Sequence, residues 1–376
     1  MRISLVTETF FPQVNGVSRS LGRLVQYLVA AGDEVHLLIP RYPPSEDDSR
    51  AGVKRVDAFR SVPLPFYPEV LLPLATPRMV RRRLAAFRPD IVHVATEGPL
   101  GWAAVRAARG MHLPLVTSYH TNFSHYTTCY RLGLFSRLLW RYLRRFHNAG
   151  LATFCPTESI RNILEENRFN NIIVWGRGVD GELFHPRRRE AALRRQFGAD
   201  GVGDCLLVCA GRLAPEKNLD VLVDAVAGMP ADANVRLVLI GDGPSRDALQ
   251  RRADGRVVFA GYRRGEALAA AVASADLMVF PSLSETFGNV VLEAMACGLP
   301  VVAFDAPGPR DVIRDGRTGR VVAPATAEAL RQATLELVRD HARREAMGRE
   351  ALAFARAQTW DSVLAVVRDT YRRVLS

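Results

Sequence analysis

Short apolar runs alternate along this chain with longer stretches whose apolar residues recur every three or four positions. Runs of that kind, bounded by turn residues, read as strands of a parallel sheet buried on both faces. The recurring stretches read as amphipathic helices packed on that sheet. In the first half, strands are expected at residues 3–7, Val35–Pro40, Ile91–Ala95 and Leu115–Tyr119. A helix is expected at Val17–Ala31, where Leu21, Leu24, Val25 and Leu28 share a face and Gly32 ends it. Others are expected near 78–87, 98–109 and 133–148. Residues 41–75 are rich in proline and read as irregular, and Trp175–Pro186 reads as a linker. The rhythm then restarts, with strands expected at Leu206–Ala210, Val235–Ile240, Val257–Gly261, Leu277–Phe280, Val301–Phe304 and Gly319–Val322. Helices are expected at 218–228 and near 326–338, 341–357 and 361–375. The pattern predicts two doubly wound, Rossmann-like α/β domains, over 1–178 and 190–358, facing a central cleft.

Composition supports that division. At 376 residues, 48% of them apolar, the chain suits two cores and is too hydrophobic for disorder. Its net charge of +11 fits nucleic acid, an anionic membrane or a phosphorylated ligand, and equally a solvated basic surface. The five cysteines are scattered without a C-x-x-C pair, so they read as reduced, mostly buried thiols of a cytosolic protein. The opening M-R-I-S-L-V-T-E-T reaches Glu8 too soon for a signal peptide, and no apolar run is long enough to span a bilayer. The segment 133–148 combines Leu, Trp, Tyr and Phe with Arg137, Arg141, Arg144 and Arg145. With the basic run of 78–83 it suits a helix lying on an anionic membrane surface. The competing reading is a core helix with a charged outer face.

The polar residues that follow the strands carry the chemistry, because ligands of such folds bind beyond the carboxyl ends of strands. Glu8, Glu97, His120 and Thr121 stand at such ends in the first half. There is no G-x-G-x-x-G, which weakens a nicotinamide reading. In the second half, G-R-L-A-P-E-K-N places Arg212 and Lys217 around a turn that opens a helix. An arginine fork and a lysine point charge there suit a diphosphate. A second strand end carries Gly241-Asp242-Gly243. A third begins the stretch Ser282–Gly298, with Glu285 in a turn and Glu293 eight residues on, inside a helix. The eight-residue spacing is about 2.2 helical turns, which sets both carboxylates on roughly one side. An anion site beside two carboxylates that accept hydroxyls describes a nucleotide sugar. No D-x-D stands at a plausible place, so no essential metal and no organic cofactor are expected, and Asp47-Asp48 reads as solvated surface.

R-L-A-P-E-K-N, G-D-G-P and E-T-F-G-N-V-V-L-E-A-M-A-C-G-L-P-V-V resemble the donor-domain motifs of the retaining GT-B glycosyltransferases of family GT4. T-E-T-F-F-P-Q-V-N-G-V-S-R-S, S-Y-H-T-N-F and W-G-R-G-V-D-x-x-L-F-H-P extend the resemblance over nearly the whole chain, toward a branch of bacterial mannosyl- and lipid-glycosyltransferases. The resemblance implies a GT-B fold whose last helix, 359–376, returns to the first domain. It implies that Arg212 and Lys217 bind the donor diphosphate and that Glu285 binds the sugar hydroxyls. It gives the backbone of Phe287, Gly288 and Asn289 to the sugar and phosphates, and Glu293 to the ribose. Gly241, Tyr262 and Arg263 fall near the base, and Gly16 near the phosphate and acceptor. His120 would reach the donor sugar, and Asn15, Asn122 and His125 would serve the acceptor side. The departing phosphate oxygen would take the acceptor proton, so no enzyme nucleophile is required. Asp311 stands where many relatives carry another sequence, and its role is open. The implied partners are GDP-mannose or a UDP-hexose and a lipid or glycan acceptor, with no nucleic acid. The expected location is cytoplasmic, peripheral on the inner face of the plasma membrane. The competing readings are transfer to a polysaccharide or small molecule, a sugar-nucleotide epimerase, a phosphorylase, which would need a Schiff-base lysine in a much longer chain, and a basic nucleic-acid binder.

Overall fold

A computed structural model describes residues 1–13, 15–42, 50–64, 67–120, 133–201 and 203–376. The chain divides into two compact units, Met1–Gly176 with Asp361–Ser376, and Arg177–Trp360.

The first unit is built on a parallel seven-stranded sheet. Its strands are β1 (Arg2–Val6), β2 (Glu34–Pro40), β3 (Arg55–Phe59), β6 (Ile91–Val94), β7 (Leu115–Ser118), β8 (Ala152–Cys155) and β9 (Ile172–Val174), in the order β3-β2-β1-β6-β7-β8-β9. A separate antiparallel pair, β4 (Ser61–Leu64) and β5 (Tyr67–Pro73), lies between β3 and the next helix in sequence. Residues 41–75 therefore hold three strands and are not irregular throughout. β3 sits at the sheet edge, and its exposure alternates along R-V-D-A-F, so it lacks the apolar run of an interior strand. Prolines within β4 and β5 masked the pair in sequence.

Helices Pro77–Phe87, Pro99–Gly110 and Gly133–His147 feed one core through Val80, Leu84, Leu100, Ala104 and Phe146. The helix Trp360–Leu375 packs into the same unit. Buried Tyr371 hydrogen-bonds His93 Nδ1 at 2.6 Å, and Arg368 Nε donates to Asp33 Oδ2 at 2.7 Å.

The second unit carries a parallel six-stranded sheet ordered β12-β11-β10-β13-β14-β15. Its members are β10 (Cys205–Ala210), β11 (Val235–Ile240), β12 (Val257–Gly261), β13 (Leu277–Phe280), β14 (Val301–Phe304) and β15 (Gly319–Val322). Three of these, β10, β13 and β14, are buried at every position, as the apolar runs require. Val179 N donates to Gln358 O at 3.0 Å, so the segment entering this unit and the one leaving it lie side by side.

Each sheet reverses its order at its first strand. β1 is flanked by β2 and β6, and β10 by β11 and β13. Loops leaving the carboxyl ends of such neighbours diverge to opposite faces and open a crevice. In the second unit the two loops are 211–218, after β10, and 281–288, after β13. They hold the residues that the sequence singled out.

Candidate active site

The loop after β10 runs through Gly211 and Arg212 into a short 3-10 turn, Pro215–Lys217, then through Asn218 at φ +50° into the helix Leu219–Ala227. Three contacts lace this loop to its counterpart after β13. Lys217 Nζ pairs with Glu285 Oε1. Ser284 Oγ donates to Glu216 O at 3.2 Å, and Asn218 Nδ2 donates to Pro281 O at 3.3 Å. Buried Ser282 donates to the same Glu285 Oε1 at 3.0 Å. The Lys217 and Glu285 side chains are 23% and 18% exposed, so the pair is reachable from solvent yet largely desolvated. Arg212 is exposed at the start of the loop.

The turn 285–288 ends in Gly288 at φ +81°, a conformation glycine adopts without steric cost, and the helix Asn289–Ala296 begins there. No described side chain caps that helix end, and the helix dipole favours an anion there. The Phe287 ring packs against the core, which leaves the backbone of Phe287, Gly288 and Asn289 to define the turn. Glu293 is 6% exposed in the second turn of this helix. Asp311 Oδ2 accepts from Gly308 N at 3.0 Å and caps the short helix Pro309–Val312, a structural contact.

The loop after β11 lies against the loop after β10. Gly241 stands at φ +148°, and a Cβ there would come 1.9 Å from Gly211 O. Leu213 N donates to Asp242 O at 2.9 Å, and Ser245 N donates to Leu213 O at 2.8 Å. Tyr262, after β12, is 58% exposed. Its partner is Arg264, whose guanidinium lies 4.8 Å from the ring centroid and whose Nε donates to the hydroxyl at 2.9 Å. Arg263 instead lies over Phe197, 5.4 Å from its centroid. The structure thus groups Arg212, Lys217, Gly241, Glu285, Phe287, Gly288 and Asn289 on adjoining loops, and sends Arg263 toward Phe197. Sequence reasoning missed Ser284 and Asn218, whose partners lie on the neighbouring loop, and Ser282, whose partner Glu285 lies on its own.

In the first unit, Asn15 caps the helix Gly16–Ala30. Its Oδ1 accepts from Val17 N at 3.0 Å and Ser18 N at 2.9 Å, and its Nδ2 donates to Thr9 Oγ1 at 2.7 Å. Gly16, exposed, is the first residue of that helix. His120 follows β7, is 7% exposed and meets the buried Trp175 ring edge-on at 5.5 Å. The Glu8 carboxylate accepts from Gly98 N, Leu100 N and Gly101 N at 2.9, 2.7 and 3.3 Å. It therefore fills the amino end of the helix Pro99–Gly110. Burial holds its pKa above the usual carboxylate value against the N–H donors of Leu100 and Gly101. Thr121, Asn122, His125 and Asp47-Asp48 lie outside the described residues.

Among the described residues no group of three or more His, Cys, Asp or Glu could hold a metal ion. Cys155, Cys205, Cys209 and Cys297 are buried, and burial pushes the thiols of Cys205, Cys209 and Cys297 up to about 12. Cys129 lies outside the described residues.

Two laced loops at a topological switch point, on the second of two doubly wound units, stand where ligands of such folds bind. The family model described as Glycosyltransferase Family 4 matches residues 14–183, and the one described as Glycosyl transferases group 1 matches residues 204–340. A GDP-mannose-dependent alpha-mannosyltransferase of Mycobacterium tuberculosis is 38% identical over 93% of this chain and 93% of its own length. A GDP-mannose-dependent alpha-(1-6)-phosphatidylinositol dimannoside mannosyltransferase of the same species is 31% identical over 80% of this chain and 79% of its own. Among solved structures, sucrose-phosphate synthase from Thermosynechococcus elongatus matches with a TM-score of 0.82 at 20% identity, over 99% of this chain and 98% of that one, a likeness of fold. The chain belongs to glycosyltransferase family 4 and has the GT-B fold.

Proposed function

We propose that this enzyme transfers a mannosyl residue from GDP-mannose to a lipid or glycolipid acceptor with retention of configuration. The observation that carries this reading is the Lys217–Glu285 pair, which joins the two loops at the switch point of the second sheet. A nucleic-acid binder has no use for a hydroxyl-accepting carboxylate laced to a cation there, and transfer is favoured over epimerisation by relatives named as mannosyltransferases. The mannose donor is favoured by the relatives named for GDP-mannose, and the lipid acceptor by the relative named for phosphatidylinositol dimannoside.

Arg212 and Lys217 carry the diphosphate and stabilise the negative charge that grows as the bond from the anomeric carbon to the phosphate oxygen breaks. The amino end of the helix Asn289–Ala296 adds its N–H groups to the same charge. Glu285 orients the sugar through its hydroxyls, and Glu293 accepts from the ribose. The acceptor oxygen bonds to the anomeric carbon from the face the phosphate leaves, and its proton passes to the departing phosphate oxygen. Tyr262, paired with Arg264, supplies the flat surface for the base. In the first unit, His120 serves the sugar, and Gly16 and Asn15 serve the acceptor, together with Asn122 and His125.

The acceptor reading also draws on the helix Gly133–His147. Arg137, Arg141 and Arg145 form one exposed row, with exposed Leu138 and Tyr142 beside it. Leu143, Phe146 and His147 face inward. Trp102 from the helix Pro99–Gly110 meets the Tyr142 ring at 5.7 Å, and the Arg106 guanidinium lies 5.8 Å from Trp102. Arg78, Arg81, Arg82 and Arg83 are exposed on the helix Pro77–Phe87, which shares the same core cluster. Basic residues interleaved with exposed apolar and aromatic ones suit an anionic bilayer surface. No described helix is long and apolar enough to cross a membrane.

The donor is tested by thermal-shift titration of GDP-mannose, UDP-glucose and ADP-glucose. Stabilisation by GDP-mannose, absent from a Lys217→Ala variant, is expected. Stabilisation by a UDP sugar alone would replace the assigned donor.

A further inference from the structure

Glu285 makes its contacts through one oxygen. Its Oε1 takes both the Ser282 hydroxyl, at 3.0 Å, and the Lys217 ammonium. Its Oε2 has no hydrogen-bond partner among the described residues and is the oxygen left for a ligand hydroxyl. Ser282 is 1% exposed, two residues past the end of β13. Ser284–Glu216 and Asn218–Pro281 hold the two loops together. A diphosphate on Lys217 must therefore compete with Glu285 for the ammonium.

We propose that Ser282, Glu285 and Lys217 let the enzyme distinguish an intact sugar nucleotide from the nucleoside diphosphate left after transfer, with Ser282 as the positioning residue. This rests on the assignment of Lys217 to the diphosphate and Glu285 to the sugar hydroxyls. An entering diphosphate draws the ammonium toward its own oxygens, and Glu285 loses its counter-charge. An intact donor compensates, because its sugar hydroxyls donate to Oε2. The product diphosphate carries no sugar. Glu285 is then left with one neutral donor, partly desolvated and near the phosphate's negative charge, which is unfavourable. Discrimination thus comes from an unmatched charge in the wrong complex as well as from contacts in the right one. The same imbalance speeds release of the spent nucleotide. Ser282 contributes by holding the carboxylate where Oε2 meets the sugar.

Isothermal titration of GDP and GDP-mannose into the full chain tests this. UDP and UDP-glucose are run in parallel, and the nucleotide pair that binds wild type is the one read. Glu285→Gln removes the charge but keeps the shape. It should bind the diphosphate about 5-fold more tightly, since Lys217 is released to it, and the sugar nucleotide about 10-fold more weakly. Ser282→Ala leaves all charges in place. It should bind the diphosphate within about 2-fold of wild type and the sugar nucleotide about 10-fold more weakly, about 1.4 kcal/mol, and Ser282→Thr should restore that loss. Parallel weakening of both ligands by Ser282→Ala would mark a merely structural serine, and no change in either would remove it from the device. A Glu285→Gln variant that weakens the diphosphate would overturn the charge argument. If Glu285→Gln alters neither ligand, Glu285 is not in the donor site, and the underlying assignment fails with the discrimination mechanism.

Discussion

At Gly241 the chain leaves β11 at φ +148°, and a methyl group there would press on the carbonyl of Gly211 from the neighbouring loop. Both the backbone conformation and the contact require glycine. Gly241→Ala should cost about 3 kcal/mol through strain and overpacking. A fall in Tm of roughly 6–12 °C, read by differential scanning calorimetry, is expected. An unchanged Tm would show that the two loops are not held in contact. At this scale the sequence was informative about charge and less so about partners. Lys217 and Glu285 stood out because a charged group just past an apolar run has a strand end to explain it. Ser282 did not, because a hydroxyl becomes meaningful only when the acceptor it meets is known. Choosing between Arg263 and Arg264 depended on which way successive residues point past the end of β12, and spacing alone does not fix that.

Among elements, the helix Gly133–His147 shows what periodicity can and cannot supply. Its amphipathic character was legible, with Leu139, Leu143, Phe146 and His147 turned inward and Arg137, Arg141 and Arg145 outward. Those three arginines lie four residues apart, one row on a helix surface. Replacing all three by Glu should abolish co-sedimentation with vesicles rich in phosphatidylglycerol while leaving the far-UV circular dichroism unchanged. Binding that persists, or that ignores anionic lipid, would remove this helix from the membrane reading. The edge strand β3 was the opposite case. Its residue Asp57 reaches buried His36 Nε2 at 2.9 Å and Arg55 Nε at 2.8 Å. A strand that offers a polar side chain to a buried histidine breaks the apolar pattern by which interior strands are found. β8 and β9 were also missed, the second being only three residues long.

Over the whole molecule, the two restarts of β/α alternation disclosed the fold class. The order of strands did not follow from them, because it depends on which strands pair across the sheet. Two buried histidines also make stability depend on pH. Burial lowers His36 to about 4 and His93 to about 3, from an ordinary value near 6.5. Between those limits the unfolded chain binds protons that the folded chain does not, so stability is complete above about pH 6.5 and declines as pH falls toward 4. Asp33 works lower still. Burial alone would raise its pKa, but Arg368 and the amino terminus outweigh that and lower it, so its contribution is present above about pH 3.8 and lost only below it. Urea midpoints measured from pH 8 to pH 4 should hold steady down to about 6.5 and then drop. A flat profile across that range would contradict neutral, buried histidines in the folded state.

The central claim is that loops 211–218 and 281–288 form a donor site for retaining transfer to a lipid. The most direct measurement is proton NMR of the product formed from GDP-mannose and vesicles carrying diacylglycerol or phosphatidylinositol, for the wild-type chain and for Glu285→Ala. Retention predicts an α-mannosyl lipid from the wild-type chain, and a loss of at least about 100-fold in rate for the variant. A β-linked product, a mannose moiety altered while still attached to GDP, or full transfer by Glu285→Ala would contradict it.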